Sequence, residues 1–237
     1  MTSPLISFVS PCCNEEAWLP RLLESINGCG GDLGLFEFIV VDNNSTDGTV
    51  PAAWELAGRL DFSLRIVHEF RQGVSYARNA GARAARGRTL VFLDADNVVT
   101  PGFISEIVCL DADPSFLGGT IRTLADSDSP VGKSVFWLLE WIKMSSPRPF
   151  GKSIARSEAF EAVQGFDVNI RLGENVDFAA RLKSLARRRR ASFVHIRQPI
   201  YCSLRRFEKT GYLRTLVPWL VAYLGAKRLP YARVDTL

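Results

Sequence analysis

The sequence has only two histidines, His68 and His195, and no cysteine pair at C-x-x-C spacing, so it is poor in the ligands that build zinc sites. Its five cysteines, Cys12, Cys13, Cys29, Cys109 and Cys202, are odd in number and scattered, which reads as reduced thiols in a cytosolic protein. No apolar run reaches the roughly 20 residues of a membrane-spanning helix. The start, MTSPLISFVSP, lacks the basic region and long apolar stretch of a secretory leader, so none is expected. Internal repeats and low-complexity tracts are also missing. The formal charge of +4 is too small an excess to argue for nucleic acid, although it suits an anionic substrate or membrane surface.

What is present is a core. Apolar residues make up 47% and charged residues 23% of 237 residues, enough for one domain of moderate size. The first half alternates apolar runs with amphipathic segments. Strands are expected at Ile6–Ser10, Phe36–Val41, Leu64–His68 and Leu90–Leu93. Helices are expected from Glu15 to Asn27, Thr49 to Leu60 and Ser75 to Arg86. This order predicts a parallel sheet with helices on its faces. The alternation then loosens into a helix at Pro101–Leu110, a strand at Phe116–Thr123 and a polar loop at Ala125–Val131. Further helices are read at Val135–Met144, Ser157–Val163 and Asn175–Arg188, and strands at Ser153–Arg156 and Ser192–His195. From Phe207 the chain reads as helical, interrupted at Pro218 and Pro230.

The chemistry centres on RTLVFLDADNVVTP, residues 88–101. A buried strand ends there in Asp94 and Asp96, and Thr100-Pro101 opens a helix. Paired acids at a strand's carboxyl end are unfavourable to leave bare. A hard cation such as Mg²⁺ or Mn²⁺, bridging to substrate phosphates, would account for them. A second D-x-D, Asp111-Ala112-Asp113, precedes Pro114 and reads as a turn. The Gly-Lys-Ser triplets at Gly132 and Gly151 lack the upstream glycine of a P-loop. VVDNNSTDGT places Asp42 and Asn43 at the second strand's end, where a plain strand-to-helix turn explains Ser45 or Asp47 but not these two. Glu15 and Glu16, after SPCC, are ordinary first-turn acids by themselves. In RQGVSYARNAG, Gly81 suits close helix packing, and Arg78, taken alone, reads as a solvated surface arginine.

Taken together, PCCNEE, VVDNNSTDGT, GVSYARNAG and LVFLDAD resemble the nucleotide-sugar-binding half of family 2 glycosyltransferases of bacterial type. GKSIARSEAF, VQGFD and GENVDFAARL resemble the family's acceptor half, and SLRRFEKTG a serine-arginine pattern of one branch. The resemblance implies a GT-A fold, a Rossmann-like three-layer α/β sandwich with a mostly parallel central sheet. One domain over 1–237 is expected, with a nucleotide-sugar half at 1–100 and an acceptor half at 101–237 ending in a helical region. The implied activity is transfer of a sugar from a nucleoside-diphosphate sugar, uridine by default, with inversion. Asp42 and Asn43 would face the base, Pro11 and Glu15 the ribose side, and Arg78 the base or diphosphate. Asp94 would lie near ribose and metal, Asp96 would bind Mg²⁺ or Mn²⁺, and Arg205 and Arg206 would suit the diphosphate.

The family's acceptor motif is Glu-Asp, with the aspartate as base, whereas this chain has Glu174-Asn175, and an amide is no general base. Glu174 or Asp177 could take over, or an anionic acceptor would need no base. Asp177 also fits a plain ion pair with Arg181, and Glu174 leads. The same asparagine supports an alternative, a nucleotide-sugar-binding protein without catalysis. His195 reads first as a satisfied edge residue and second as a metal ligand. The acceptor is expected to be a saccharide or a lipid-linked molecule. Residues 213–229 mix Trp219 and leucines with Arg214, Lys227 and Arg228, which fits a packed terminal helix or peripheral membrane contact at the inner face. The loops near Ser127 and Pro147 are candidates for a substrate lid.

Overall fold

Short runs of β-branched and aromatic residues lay down half of the sheet. In the computed structural model, which describes residues 4–146 and 148–223, the strands β1 (Ile6–Cys12), β2 (Phe36–Asp42), β3 (Ser63–His68) and β4 (Thr89–Phe92) are parallel, in the order β3-β2-β1-β4. β1, β2 and β4 are buried along nearly their whole length, the condition of strands covered on both faces. The sheet continues through β7 (Ser153–Arg156), β6 (Phe116–Ala125), β8 (Ser192–Cys202) and β5 (Asn97–Val98). β7 runs against both β4 and β6, and β5 against β8, while β6 and β8 are parallel. Six of the eight described strands therefore share one direction.

Helices cover both faces. α1 (Leu19–Asn27), α2 (Thr49–Ala57) and α4 (Pro101–Ala112) bury Leu22, Ile26, Ala53 and Phe103 against Phe8, Phe38 and Val91. α3 (Val74–Ala84), α6 (Ser157–Ala162) and α7 (Glu174–Arg189) cover the opposite face, where Phe92 meets Phe160, Phe166 and Phe178. The three-layer α/β sandwich is thus as expected. A Cβ at Gly81 would come within 2.4 Å of Val9 and 2.7 Å of Val41, so glycine there sets how closely α3 lies on the sheet. The remaining helices, α5 (Pro130–Ser145), α8 (Arg205–Thr210) and α9 (Tyr212–Tyr223), form a smaller cluster around Phe136, Leu204 and Phe207.

Several elements differ from the sequence reading. α1 begins at Leu19, leaving Glu15 in the turn before it. α5 starts at Pro130, because Ser129 caps it by accepting from the Gly132 N–H, so the polar loop is shorter than expected. β8 runs on to Cys202, held by pairing with both β6 and the short β5. α9 passes through Pro218 instead of stopping, and Leu216 and Trp219 keep it packed on the α5 cluster. Pro147, Leu224 and everything beyond lie outside the described residues.

Asp111 is the clearest correction. The turn expected at Asp111-Ala112-Asp113 is the last turn of α4, and Asp111 is buried. Its carboxylate accepts from Arg88, Arg156 and Thr89 at 2.6–3.1 Å. Burial opposes ionisation there, but Arg88, Thr89 and Arg156 outweigh it and hold the carboxyl below its ordinary range. A depressed carboxyl stabilises the fold above its unfolded pKa, and that contribution fades as pH falls through the folded value. Asp111→Ala strands Arg156 without its counter-charge and should lower stability by about 3 kcal/mol. Urea unfolding at pH 7 measures this, and a loss below about 1 kcal/mol would refute the buried-pair account.

Candidate active site

The shared strand direction brings the carboxyl ends of β1, β2 and β4 to one edge. β7 runs the other way, so its beginning lies at that same edge. Register pairs Val91 with Ile154, which carries Lys152 to the residues just after β4. Lys152 Nζ donates to Asp94 Oδ2 at 2.9 Å. Asp94 Oδ1 accepts from Arg78 Nη2 at 3.0 Å. Arg78 Nη1 in turn donates to Glu174 Oε1 at 3.0 Å and Asn175 Oδ1 at 3.2 Å.

Arg78 is not the surface residue that its sequence context suggested. It is 4% exposed, lies 5.2 Å over the Phe166 ring, and its Nε has no partner. Phe166 is fixed by the neighbouring Asn79, whose amide donates to the Phe166 carbonyl and accepts from its N–H. The Asp94 carboxyl is disfavoured as an ion by its surroundings, but Lys152 and Arg78 overcome this and hold it far below the usual carboxylate range. Lys152 is pushed up for the same reason, Asp94 outweighing burial.

A second chain of charges lies beside the first. Asp96 Oδ2 accepts from Arg205 Nε at 3.1 Å and Ser203 Oγ at 3.3 Å. Arg205 Nη2 donates to Glu15 Oε1 at 2.6 Å, and the guanidinium lies 5.3 Å over Trp18. Glu15 Oε2 is buried and unpartnered, and burial raises the Glu15 carboxyl despite Arg205. Asn97 shapes the turn between the two aspartates. Its Oδ1 accepts the Asp94 N–H, and its Nδ2 contacts Asp96 Oδ1 and Cys202 Sγ. Glu15 is therefore a site carboxylate here, more than a first-turn dipole partner.

The other candidates divide. Pro11 is half-buried at the end of β1. Asp42 accepts from the Ser45 N–H and faces His68 Nδ1 at 3.1 Å. Asn43, at the end of β2, is held by backbone groups. Its amide donates to the Glu69 and Arg71 carbonyls and its oxygen accepts from the Gly73 N–H, so it organises the 69–73 loop ahead of α3. Asp177 is held by Arg181 Nε at 2.7 Å, the plain i, i+4 pair. Arg206 is exposed, apart from the Arg205 contacts. His195 is a satisfied edge residue, with Nδ1 on Thr120 at 2.9 Å and Nε2 facing Glu140 at 3.2 Å. Lys152 and Asn97 were not singled out as site residues from sequence, and Ser203 stood out only as the serine of SLRRFEKTG. The signals for Lys152 were the discounted Gly-Lys-Ser triplet at Gly151 and its place in GKSIARSEAF.

Four carboxylates, Glu15, Asp94, Asp96 and Glu174, thus stand against three cations, Arg78, Lys152 and Arg205. The excess negative charge, the hard oxygen donors and the orphaned Glu15 Oε2 fit a divalent cation. Among the described residues, no group of three or more His, Cys, Asp and Glu side chains could hold a metal alone.

The profile of glycosyl transferase family 2 matches residues 7–131, more than half of the chain. The chain belongs to this family. A PGL/p-HBAD biosynthesis glycosyltransferase of Mycobacterium bovis is 39% identical over 99 residues, 41% of this chain and 37% of that protein. Validoxylamine A glucosyltransferase of Streptomyces hygroscopicus is 34% identical over 116 residues, 47% of this chain and 26% of that protein. The matched segment spans about a third of such curated relatives. Mannosyltransferase PcManGT from Pyrobaculum calidifontis, solved with GDP-Man and Mn²⁺, superposes with a TM-score of 0.73 at 21% identity, covering 98% of this chain and 66% of that one. Glucosyl-3-phosphoglycerate synthase of Mycobacterium tuberculosis, solved with Mn²⁺ and UDP, gives 0.60 at 20% identity, covering 97% and 82%. This family 2 chain shares their GT-A fold.

Replacing Lys152 with methionine removes one of the two cations on Asp94. Side-chain carboxyl NMR should then find Asp94 titrating at higher pH than in the wild type, still depressed by Arg78. An unchanged Asp94 titration would contradict the assigned pairing.

Proposed function

We propose that this chain is a metal-dependent, inverting glycosyltransferase that moves a sugar from a nucleoside-diphosphate sugar, UDP-linked by default, to a hydroxyl acceptor. The observation carrying this reading is the continuous run of charge-assisted contacts Glu174–Arg78–Asp94–Lys152, with Asp96–Arg205–Glu15 beside it. Residues 1–100 would supply most of the donor contacts and residues 101–237 the acceptor side, acting as one domain. Pro11 and Asp42, at neighbouring strand ends, would line the nucleoside pocket.

Arg78 and Lys152 would hold Asp94 ionised and oriented toward the donor. Arg205 would move from Asp96 toward the diphosphate, where a planar guanidinium suits paired phosphate oxygens. Asp96, with Asp94 next to it, would hold Mg²⁺ or Mn²⁺. When bound, that ion would neutralise charge growing on the leaving diphosphate. Glu174 stands in the first turn of α7 with Oε1 on Arg78 and Asn175. Its Oε2 is assigned the proton of the attacking hydroxyl as the bond to the anomeric carbon forms and the bond to the diphosphate breaks. Asp177 would keep α7 anchored through Arg181.

A thermal-shift screen of UDP and GDP sugars with and without Mn²⁺ tests the donor reading. At least one should stabilise the chain more with metal than without, and Asp96→Asn should erase the difference. Glu174→Gln should lower transfer by roughly 100-fold or more while keeping the donor-induced shift. Normal turnover in that variant would remove Glu174 as base. Donor binding with no hydrolysis or transfer in the wild type would favour the non-catalytic alternative.

A further inference from the structure

The two helices added outside the sandwich are built inside out relative to ordinary surface helices. α5 turns its one carboxylate, Glu140, inward to Lys143, His195 and the Thr123 N–H. Both Glu140 and Lys143 are buried. Its outward face instead carries Trp137, Leu138 and Trp141, respectively 64%, 49% and 57% exposed. α9 contains no acidic residue and exposes Leu213, Val217 and Leu220 at i, i+4 and i+7. Both helices pack on the cluster of Phe136, Leu204 and Phe207, α5 through Val135 and α9 through Leu216 and Trp219, and Ser146 meets the Tyr223 hydroxyl at their far ends. On α5 the outward apolar residues border a shallow apolar depression beside Val131, Val135 and Leu138.

We infer that this α5–α9 face docks on an anionic phospholipid surface. Single exposed apolar residues are common, whereas a contiguous patch marks an interaction surface. Two tryptophans on an exposed apolar face suit the interfacial zone, where an amphipathic ring meets headgroups. The charges at its margin have one dominant sign. The exposed cations Lys133 on α5, Arg148 after it, and Arg206, Lys209 and Arg214 on α8 and α9 outnumber the exposed acids Asp128 and Glu208. Such cations favour anionic headgroups. Among the described residues no helix is long and apolar enough to cross a membrane, so contact would be peripheral.

The geometry connects this face to the site. Leu204 packs on Gly132 at the start of α5, and the next residue, Arg205, reaches Asp96 and Glu15. A docked α5–α9 unit would set that edge of the site beside the bilayer. The acceptor class that follows is a hydroxyl carried on a lipid, a consequence that rests on the glycosyl-transfer reading.

Flotation of the full chain with vesicles tests the surface. The protein should float at low ionic strength with vesicles of equal parts phosphatidylcholine and phosphatidylglycerol, and poorly with phosphatidylcholine alone. Trp137→Ser/Trp141→Ser and, separately, Lys209→Glu/Arg214→Glu should each weaken partitioning by roughly tenfold while keeping the melting temperature and any donor-induced shift. Wild-type tryptophan emission should move to the blue on vesicle addition, and the tryptophan double variant should lose that movement. No flotation of the wild type, or equal flotation of the variants, overturns the proposal. So does a wild-type dimer that the tryptophan variant dissociates, which would make the face a contact between copies. Loss of iodide quenching at Trp137 and Trp141 before vesicles are added also overturns it, since the face would already be covered. Donor binding and vesicle binding are read separately, so either reading can fail without the other.

Discussion

A single buried guanidinium holds the candidate site together. Arg78 sits in the first half of the chain, on a helix laid tightly against the sheet by Gly81. It must be compensated there, because a bare cation in that setting is strongly unfavourable. Its partners come from two other places, Asp94 at the end of β4 and Glu174 at the start of α7. Glycine at position 173, with φ of 89°, lets the chain turn into α7 so that Glu174 arrives in its first turn. Satisfying Arg78 therefore fixes α3, the end of β4 and the start of α7 relative to one another.

The division between the two aspartates follows from the same electrostatics. Asp94 has one oxygen on Arg78 and the other on Lys152, which makes it a fixed ionised anchor. Asp96 shares its carboxylate among weaker contacts from Ser203, Asn97 and a half-exposed Arg205. In the proposed function, Asp96 would be the carboxylate that exchanges these contacts for a divalent ion. Arg205 serves as counter-charge for Asp96 and Glu15, and its long side chain can release both without disturbing the sheet. Preorganised charges of this kind act where charge develops during reaction.

The strand and helix alternation of the first half was legible because buried parallel strands leave short apolar runs that end sharply. The same sharp ending made Asp94 and Asp96 stand out. Lys152 was not legible, since only the antiparallel placement of β7 between β4 and β6 brings it to Asp94. Arg78 and Asp111 were misjudged for one reason. Arg78 alone looked solvated and Asp111 looked like part of a turn, and the burial of each depends on partners distant along the chain, Glu174 in one case and Arg156 in the other. The backbone contacts of Asn43 with residues 69–73 are announced by no residue pattern. Pro218 was read as a break although a proline whose helix is held by packing on another can remain within it.

The claim on which this account stands is that the edge carrying Asp94, Asp96, Glu15 and Arg205 is where a divalent ion and a nucleoside diphosphate meet. Paramagnetic broadening by Mn²⁺ in the presence of UDP reads that location directly. At substoichiometric Mn²⁺, the amide signals of residues 94–97, 15 and 203–205 should disappear first, and UDP should sharpen the selectivity. Broadening centred elsewhere, or none at these residues with UDP present, would contradict the account.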